Sequence, residues 1–148
     1  MTESRWSKYV ITDPKLVTDI ANHRFEEFSG FSYPDPVYID QELIPDADTW
    51  LDIVWIWDKT VPEEIPGLHS HPFNEIVLLV GSDPHNLSDL GGVVEWGMGE
   101  GEEAETFTLT STAAIYVPAG LSHGPLVFKQ VDRPILNIAI GLQTGGYL

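Results

Sequence analysis

Gly67-Leu-His-Ser-His-Pro-Phe-Asn-Glu-Ile-Val-Leu-Leu-Val-Gly81 places two histidines and a glutamate just ahead of an unbroken apolar run. His69 and His71 are two apart, and on an extended chain residues two apart point to the same side. Glu75 lies four beyond His71 and keeps that parity. All three side chains therefore face one interior if the chain is strand-like on both sides of Pro72. A second apolar stretch leads into Pro118-Ala-Gly-Leu-Ser-His123, which supplies a fourth candidate ligand. Imidazole and carboxylate together suit Fe, Mn, Ni, Cu or Zn rather than Ca or Mg. The alternative is ordinary polar residues on exposed strand faces. Against it, three of the chain's five histidines fall in two compact motifs that border apolar strand-like runs.

Working outward, Trp50-Leu-Asp-Ile-Val-Trp-Ile-Trp57 reads as a strong strand with large apolar groups on both faces. One face suits a barrel interior and the other a partner or an N-terminal arm. Trp55 and Trp57 are candidates for lining a pocket, with plain core packing as the competing reading. Further strands are expected at 75–80, 93–98, 106–110, 114–117, 126–128 and 135–140. Gly99 to Glu105, with four glutamates, reads as a solvated hairpin tip. His85 falls in a turn-rich loop and reads as solvated.

Before residue 50 the pattern is weaker. Tyr9-Val-Ile11 suggests a short strand. Thr12 or Asp13 before Pro14 suggests a helix start. Leu16, Val17, Ile20 and Ala21 recur at helical spacing, so a short helix is expected over 14–22, with His23 near its end. Residues 28–37 are turn-rich with aromatic anchors, Val37–Ile39 suits an edge strand, and the tail after Gly141 reads as loose. Many short strands and one helix signal give an all-β fold, a barrel or double-sheet jelly roll with a short N-terminal helix/strand arm.

At 148 residues the chain is expected to form a single domain, with a barrel core over about 50–141 and an arm over about 1–49. The formal net charge of −16 argues against nucleic acid and against anionic membrane surfaces. No cysteine is present, which excludes disulfides, zinc-thiolate sites and cysteine nucleophiles. The first residues lack an apolar signal-peptide core, and no run approaches the ~20 apolar residues needed to span a bilayer. A cytoplasmic location is the expectation.

The two motifs resemble those of the cupin superfamily, written G-x5-H-x-H-x3,4-E-x6-G and G-x5-P-x-G-x2-H-x3-N. Here His69-x-His71-x3-Glu75-x5-Gly81 and Pro118-x-Gly120-x2-His123 keep the core of each. Glu63 and Thr112 stand where the opening glycines would be, the closing glycine of the first motif comes one residue early, and Val127 replaces the asparagine of the second. The resemblance covers roughly residues 50–141. It implies a double-stranded β-helix enclosing one divalent transition metal (Fe, Mn, Ni or Zn) held by His69, His71, Glu75 and His123, with open positions for water, substrate or O2. It also implies an oxygenase (an oxidoreductase) or a Lewis-acid isomerase or lyase acting on a small, partly apolar molecule. A non-catalytic metal- or small-ligand-binding or sensor module is the alternative. Glu95, Trp96 and Tyr116 are candidate pocket or ligand-supporting residues. The two-sided apolar strand and the arm would suit a homodimer.

Overall fold

The structure is a computed structural model that describes residues 4–18 and 28–146. Ten strands carry the described residues: β1 (Lys15–Val17), β2 (Ser29–Phe31), β3 (Asp35–Ile39), β4 (Thr49–Val61), β5 (Glu75–Gly81), β6 (Asp89–Met98), β7 (Glu105–Ser111), β8 (Ala113–Val117), β9 (His123–Val131) and β10 (Ile135–Leu142). The larger sheet runs β1-β3-β4-β10-β5-β8, with β2 also pairing β4; the smaller runs β7-β6-β9. Every pairing is antiparallel. The architecture is the all-β double-sheet jelly roll that the strand pattern implied.

Alternation explains which residues go inside. Along β5, Glu75, Val77, Leu79 and Gly81 are buried while the residues between them are half-buried. Along β4 the buried set is Trp50, Asp52, Val54, Ile56 and Thr60. The register brings Val54 beside Asn137 and Asn137 beside Leu79, so three adjacent strands present one inner face. From the smaller sheet Val94, Trp96 and Phe128 pack against it, and a single apolar core fills the space between the sheets. Burial of each such side chain contributes about 1.5–3 kcal/mol.

The N-terminal segment departs from the sequence pattern. Where a helix was expected over 14–22, Lys15–Val17 is β1, paired to β3 through Lys15↔Val37 and Val17↔Asp35. An open strand edge on β3 outweighs a helical periodicity only two turns long. The rest of that expected helix, 19–22, and His23 lie outside the described residues. The strand expected at 9–11 is also absent. Ser7–Tyr9 forms a single 3-10 turn, with Val10 N–H donating to the Ser7 carbonyl. The turn-rich 28–37 stretch contains β2 and the start of β3. The tail is tied down: Gln41 N–H donates to Gly145 O at 2.8 Å, and Thr144 N–H to Asp48 O at 2.8 Å.

Lys15 anchors β1 by donating to Asp40 and to Glu42, the latter at 3.2 Å. Asp40 also accepts the backbone N–H groups of Glu42 and Leu43. Burial alone would raise the Asp40 carboxyl and lower the Lys15 ammonium. The hydrogen bonds outweigh it, holding Asp40 below and Lys15 above their ordinary values. The Asp40 contribution to stability is therefore present above the ordinary aspartate range and lost as pH falls through that range to the lowered folded value. The Lys15 contribution is complete below the ordinary lysine range and lost as pH rises through the raised folded value. Asp40→Asn should cost about 1–3 kcal/mol in urea unfolding at pH 7. The gap to the parent should narrow below pH ~4; a gap that does not change with pH would rule out the carboxylate as its source.

Candidate metal centre

His69 and His71 lie in the loop between β4 and β5, Glu75 opens β5, and His123 opens β9. Main-chain hydrogen bonds fix how these segments meet. His69 N–H donates to His123 O at 2.9 Å, and His123 N–H returns to His69 O at 2.8 Å. This isolated bridge puts the two imidazoles side by side, 4.3 Å between ring centres. Upstream, Ile65 N–H donates to Leu126 O and Leu126 N–H to Pro66 O. Downstream, Gly120 N–H donates to His71 O, and Ala119 N–H to the Asn74 side chain at 2.7 Å. The loop with two histidines is thus stitched along its length to the segment with the third.

Two glycines make the close approach feasible. Gly120 has φ of +82° in the turn before His123, and Gly124 has φ of +96° just after it. A Cβ on Gly124 would stand 2.6 Å from the Gly67 carbonyl oxygen. That carbonyl is the acceptor for His69.

Each imidazole gives its Nδ1 proton to a backbone carbonyl two residues away. His69 donates to Gly67 O at 2.8 Å, His71 to Phe73 O at 3.0 Å, and His123 to Leu121 O at 2.9 Å. Carbonyls only accept, so each Nδ1 carries the proton and each Nε2 keeps its lone pair. One ligand atom from each of the three histidines lies within 4.8 Å of the others. Glu75 Oε1 stands 3.4 Å from both the His71 and the His123 Nε2.

His71 and His123 are 6% and 0% exposed, and their Nε2 atoms have no hydrogen-bond partner. Buried acceptors without partners are costly. Lone pairs converging beside a buried carboxylate fit a divalent transition metal, and the donor set is one that could hold it. Burial lowers the His69 pKa, and the neighbouring His123 and His71 add to this against the opposing Gly67 hydrogen bond and Glu75. Ring packing holds the group in place: His71 lies flat on Phe73 at 4.0 Å, and Trp96 is stacked on His123 at 5.8 Å.

The four side chains form part of the wall of a cavity of about 390 Å³. The cavity is lined largely by aromatic and aliphatic groups, among them Phe31, Trp50, Ile56 and Phe128, with Asp52 and Asn137 as polar groups besides the candidate ligands. Of the other residues singled out in the sequence, only Trp96 lines it. Trp55 and Trp57 are 43% and 54% exposed and point outward, because the even-numbered residues of β4 take the inner face. Tyr116, 54% exposed, is outward for the same reason, lying beside Ile76. Glu95 binds Lys129 at 3.2 Å in a separate groove. His85 is exposed in its loop, as expected.

The residues that sequence reading passed over are Asp35, Asp52 and Asn137. All three line the cavity. The available signal was a polar residue at an inward position of an otherwise apolar strand, as in Ile-Leu-Asn137-Ile.

No family model matches the chain, and no curated protein matches it in sequence. Solved structures match it in shape. The fold is similar to Fe(II)-HppE with an alternative substrate, at 12% identity and a TM-score of 0.56, covering 90% of this chain and 60% of that one. Hydroxypropylphosphonic acid epoxidase from S. wedmorenis aligns at 12% identity and a TM-score of 0.55, covering 90% and 59%. Oxalate decarboxylase from Bacillus subtilis aligns at 19% identity and a TM-score of 0.53, covering 87% and 29%. The chain thus spans under two thirds of the epoxidase chain and under a third of the decarboxylase. These likenesses show that the chain shares the double-sheet β-barrel fold of those structures.

Gly124→Ala should perturb the centre without touching a candidate ligand. Its Cβ must displace the Gly67 carbonyl, and added Mn(II) or Zn(II) should bind at least ~10-fold more weakly by titration calorimetry, as for lost ligand-orienting partners elsewhere. Unchanged affinity would show that the crossing does not set the geometry. For the metal-free protein, the lowered His69 pKa makes stability complete above the ordinary histidine value. Stability then falls as pH drops below that value toward the lowered folded one. Urea midpoints from pH 8 to 5 should show this fall, and His69→Asn should flatten it; an equal slope in the variant would assign the effect elsewhere.

Proposed function

We propose that this chain is a metal-dependent cupin enzyme. On this reading a divalent transition metal, held by His69, His71, Glu75 and His123, acts on a small, partly apolar molecule in the adjoining cavity. The observation that carries the reading is three histidines with ligand nitrogens within 4.8 Å of one another, two of them with buried, unpartnered Nε2 atoms, on the wall of a cavity of about 390 Å³. A space of that size is at the lower end of small-molecule sites.

The residues take distinct roles. The backbone carbonyls of Gly67, Phe73 and Leu121 fix each imidazole in its ligating tautomer. Glu75 supplies negative charge that would offset the cation. Trp96 and Phe73 keep water from the imidazole faces. Asn137 and Asp52 are placed to orient polar groups of a substrate, and the aromatic wall takes its apolar part. A metal bound here would supply either Lewis-acid activation or a redox centre for O2. The fold neighbours include FeII HppE and the Mn(II) centres of Bacillus subtilis oxalate decarboxylase, so more than one metal is compatible with the fold. Polar groups besides the candidate ligands within the cavity favour an oxygenase, isomerase or lyase over a metal-storing or sensing module. The reading includes a cytoplasmic protein that works as a homodimer. It is compatible with the described residues, which contain no helix long and apolar enough to cross a membrane.

Elemental analysis of protein purified without a metal-affinity tag tests the centre. About one equivalent of Fe, Mn, Ni or Zn is expected per chain. His71→Ala should lose at least ~90% of it, since even ligand-supporting residues are worth 10–100-fold. No metal in the parent after reconstitution with each ion would overturn the reading.

A further inference from the structure

Asn137 stands on the inner face of β10, and it lines the cavity. Its neighbours across the strands are Val54 and Leu79, and Ile135 precedes it on the same face. All three are buried. The Asn137 Oδ1 is shielded from solvent and has no hydrogen-bond partner among the described residues. The same holds for Trp96 Nε1 on the smaller sheet, in a side chain that also lines the cavity and is stacked on His123. Other polar groups nearby are engaged. Asp52 accepts the Ala139 N–H at 3.2 Å, and Asn74, which does not line the cavity, accepts the Ala119 N–H at 2.7 Å.

An amide oxygen that accepts nothing in an apolar wall lowers stability. A leucine there would simply continue the run Ile135-Leu-Asn-Ile-Ala-Ile140. Polar groups left unsatisfied in this way are found where a ligand completes them. The register gives the distance that such a ligand covers. Glu75 lies opposite Gly141, four residues beyond Asn137 on β10. Asn137 is therefore ~13 Å along the sheet from the row that holds Glu75.

We propose that Trp96 and Asn137 read the two ends of one elongated substrate. Trp96 Nε1–H donates to an oxygen of the head group at the metal centre, and Asn137 Oδ1 accepts from a hydroxyl at the tail. The proposal rests on the metal-dependent reading above. It narrows the small, partly apolar molecule to a chain with an oxygen-bearing head, an apolar middle and a hydroxylated tail. Phe31, Ile56 and Phe128 in the cavity wall match the middle. A neutral hydroxyl matches a neutral amide without burying a charge beside Val54 and Leu79. Both residues are specificity-determining: neither is a candidate metal ligand.

Titration calorimetry on the Zn(II)-loaded protein tests this, with ω-hydroxyoctanoate and octanoate as probes. The parent should bind the hydroxy acid ~10-fold more tightly. Asn137→Leu should erase that preference. Trp96→Phe, which removes only the head contact, should weaken both acids alike and keep the preference. Thermal melting adds a readout that needs no metal. Asn137→Leu should raise the melting temperature of the metal-free protein by about 2–4 °C. Asn74→Leu, which deletes a hydrogen bond already made, should lower it. If Asn137→Leu does not fold, Asn137→Val is read in its place. Equal binding of the two acids by the parent, or binding of neither, would overturn the proposal. A lower melting temperature for the Asn137 variant would overturn it too, by making the amide structural. Trp96→Phe with unchanged affinity for both acids would remove the head contact and the proposal with it. Zinc content of the same samples separates the two readings. A parent without zinc overturns both, whereas a fully loaded parent with no preference overturns this one alone.

Discussion

Three imidazole Nδ1–H groups donate to main-chain carbonyls two residues away, and the candidate site depends on that arrangement. It fixes the tautomer, and with it the direction of each lone pair. Two of those carbonyls, on Gly67 and Phe73, lie in the loop from Ile65 to Asn74, which does not form a regular ladder. It bonds instead, at intervals, to the 119–126 segment. Each histidine is thus oriented by its own short stretch of backbone, and the stretches are joined by main chain. Side-chain packing then finishes the work, with Phe73 and Trp96 against two of the rings.

The second constraint is parity. Strands β4, β5 and β10 lie side by side, and each sends alternate residues to opposite faces. The inner face carries Asp52, Asn137 and Glu75 among apolar neighbours, while the outer face is apolar over 51–57, 76–80 and 136–140. The outer face thus departs from the polar exterior common for a sheet with one wet face, while the inner face is apolar apart from these three residues. The polar inner residues border the cavity, and the apolar outer ones are half-buried to exposed, with Trp55, Trp57 and Tyr116 the most open.

Much of this was legible from residue types and spacing. The strand-like runs after residue 50 and the His-x-His-x3-Glu motif depend on local pattern, and short-range pattern carries that information well. The clustering of His69, His71 and His123 beside Glu75 was legible because rare residue types recur there at fixed intervals. Lys15–Val17 was not, since its strand state comes from β3 and from Asp40, 25 residues away. Trp55, Trp57 and Tyr116 were read as candidate pocket residues because composition does not say which face of a two-sided strand turns inward. Asp52 pointed the wrong way: an acid on a strand reads as solvent-facing, yet it is buried with Trp50 and Val54 on the cavity side of β4. Glu95 misled for another reason, as its partner Lys129 sits on an adjacent strand whose register the sequence does not give.

The crossing of Gly67 and Gly124 sets a kinetic character for the centre. A site assembled by main-chain hydrogen bonds meets most of its ordering cost when the chain folds, before any ion arrives. Ion capture and release are then uncoupled from folding, unlike small domains that collapse only around their metal. On the proposed reading such a protein would persist without its metal and equilibrate with whichever divalent ions surround it. Which ion it carries is then decided by supply and by the affinity order of the ions rather than by the fold. The chemistry available to one and the same chain would follow the metal economy of its compartment.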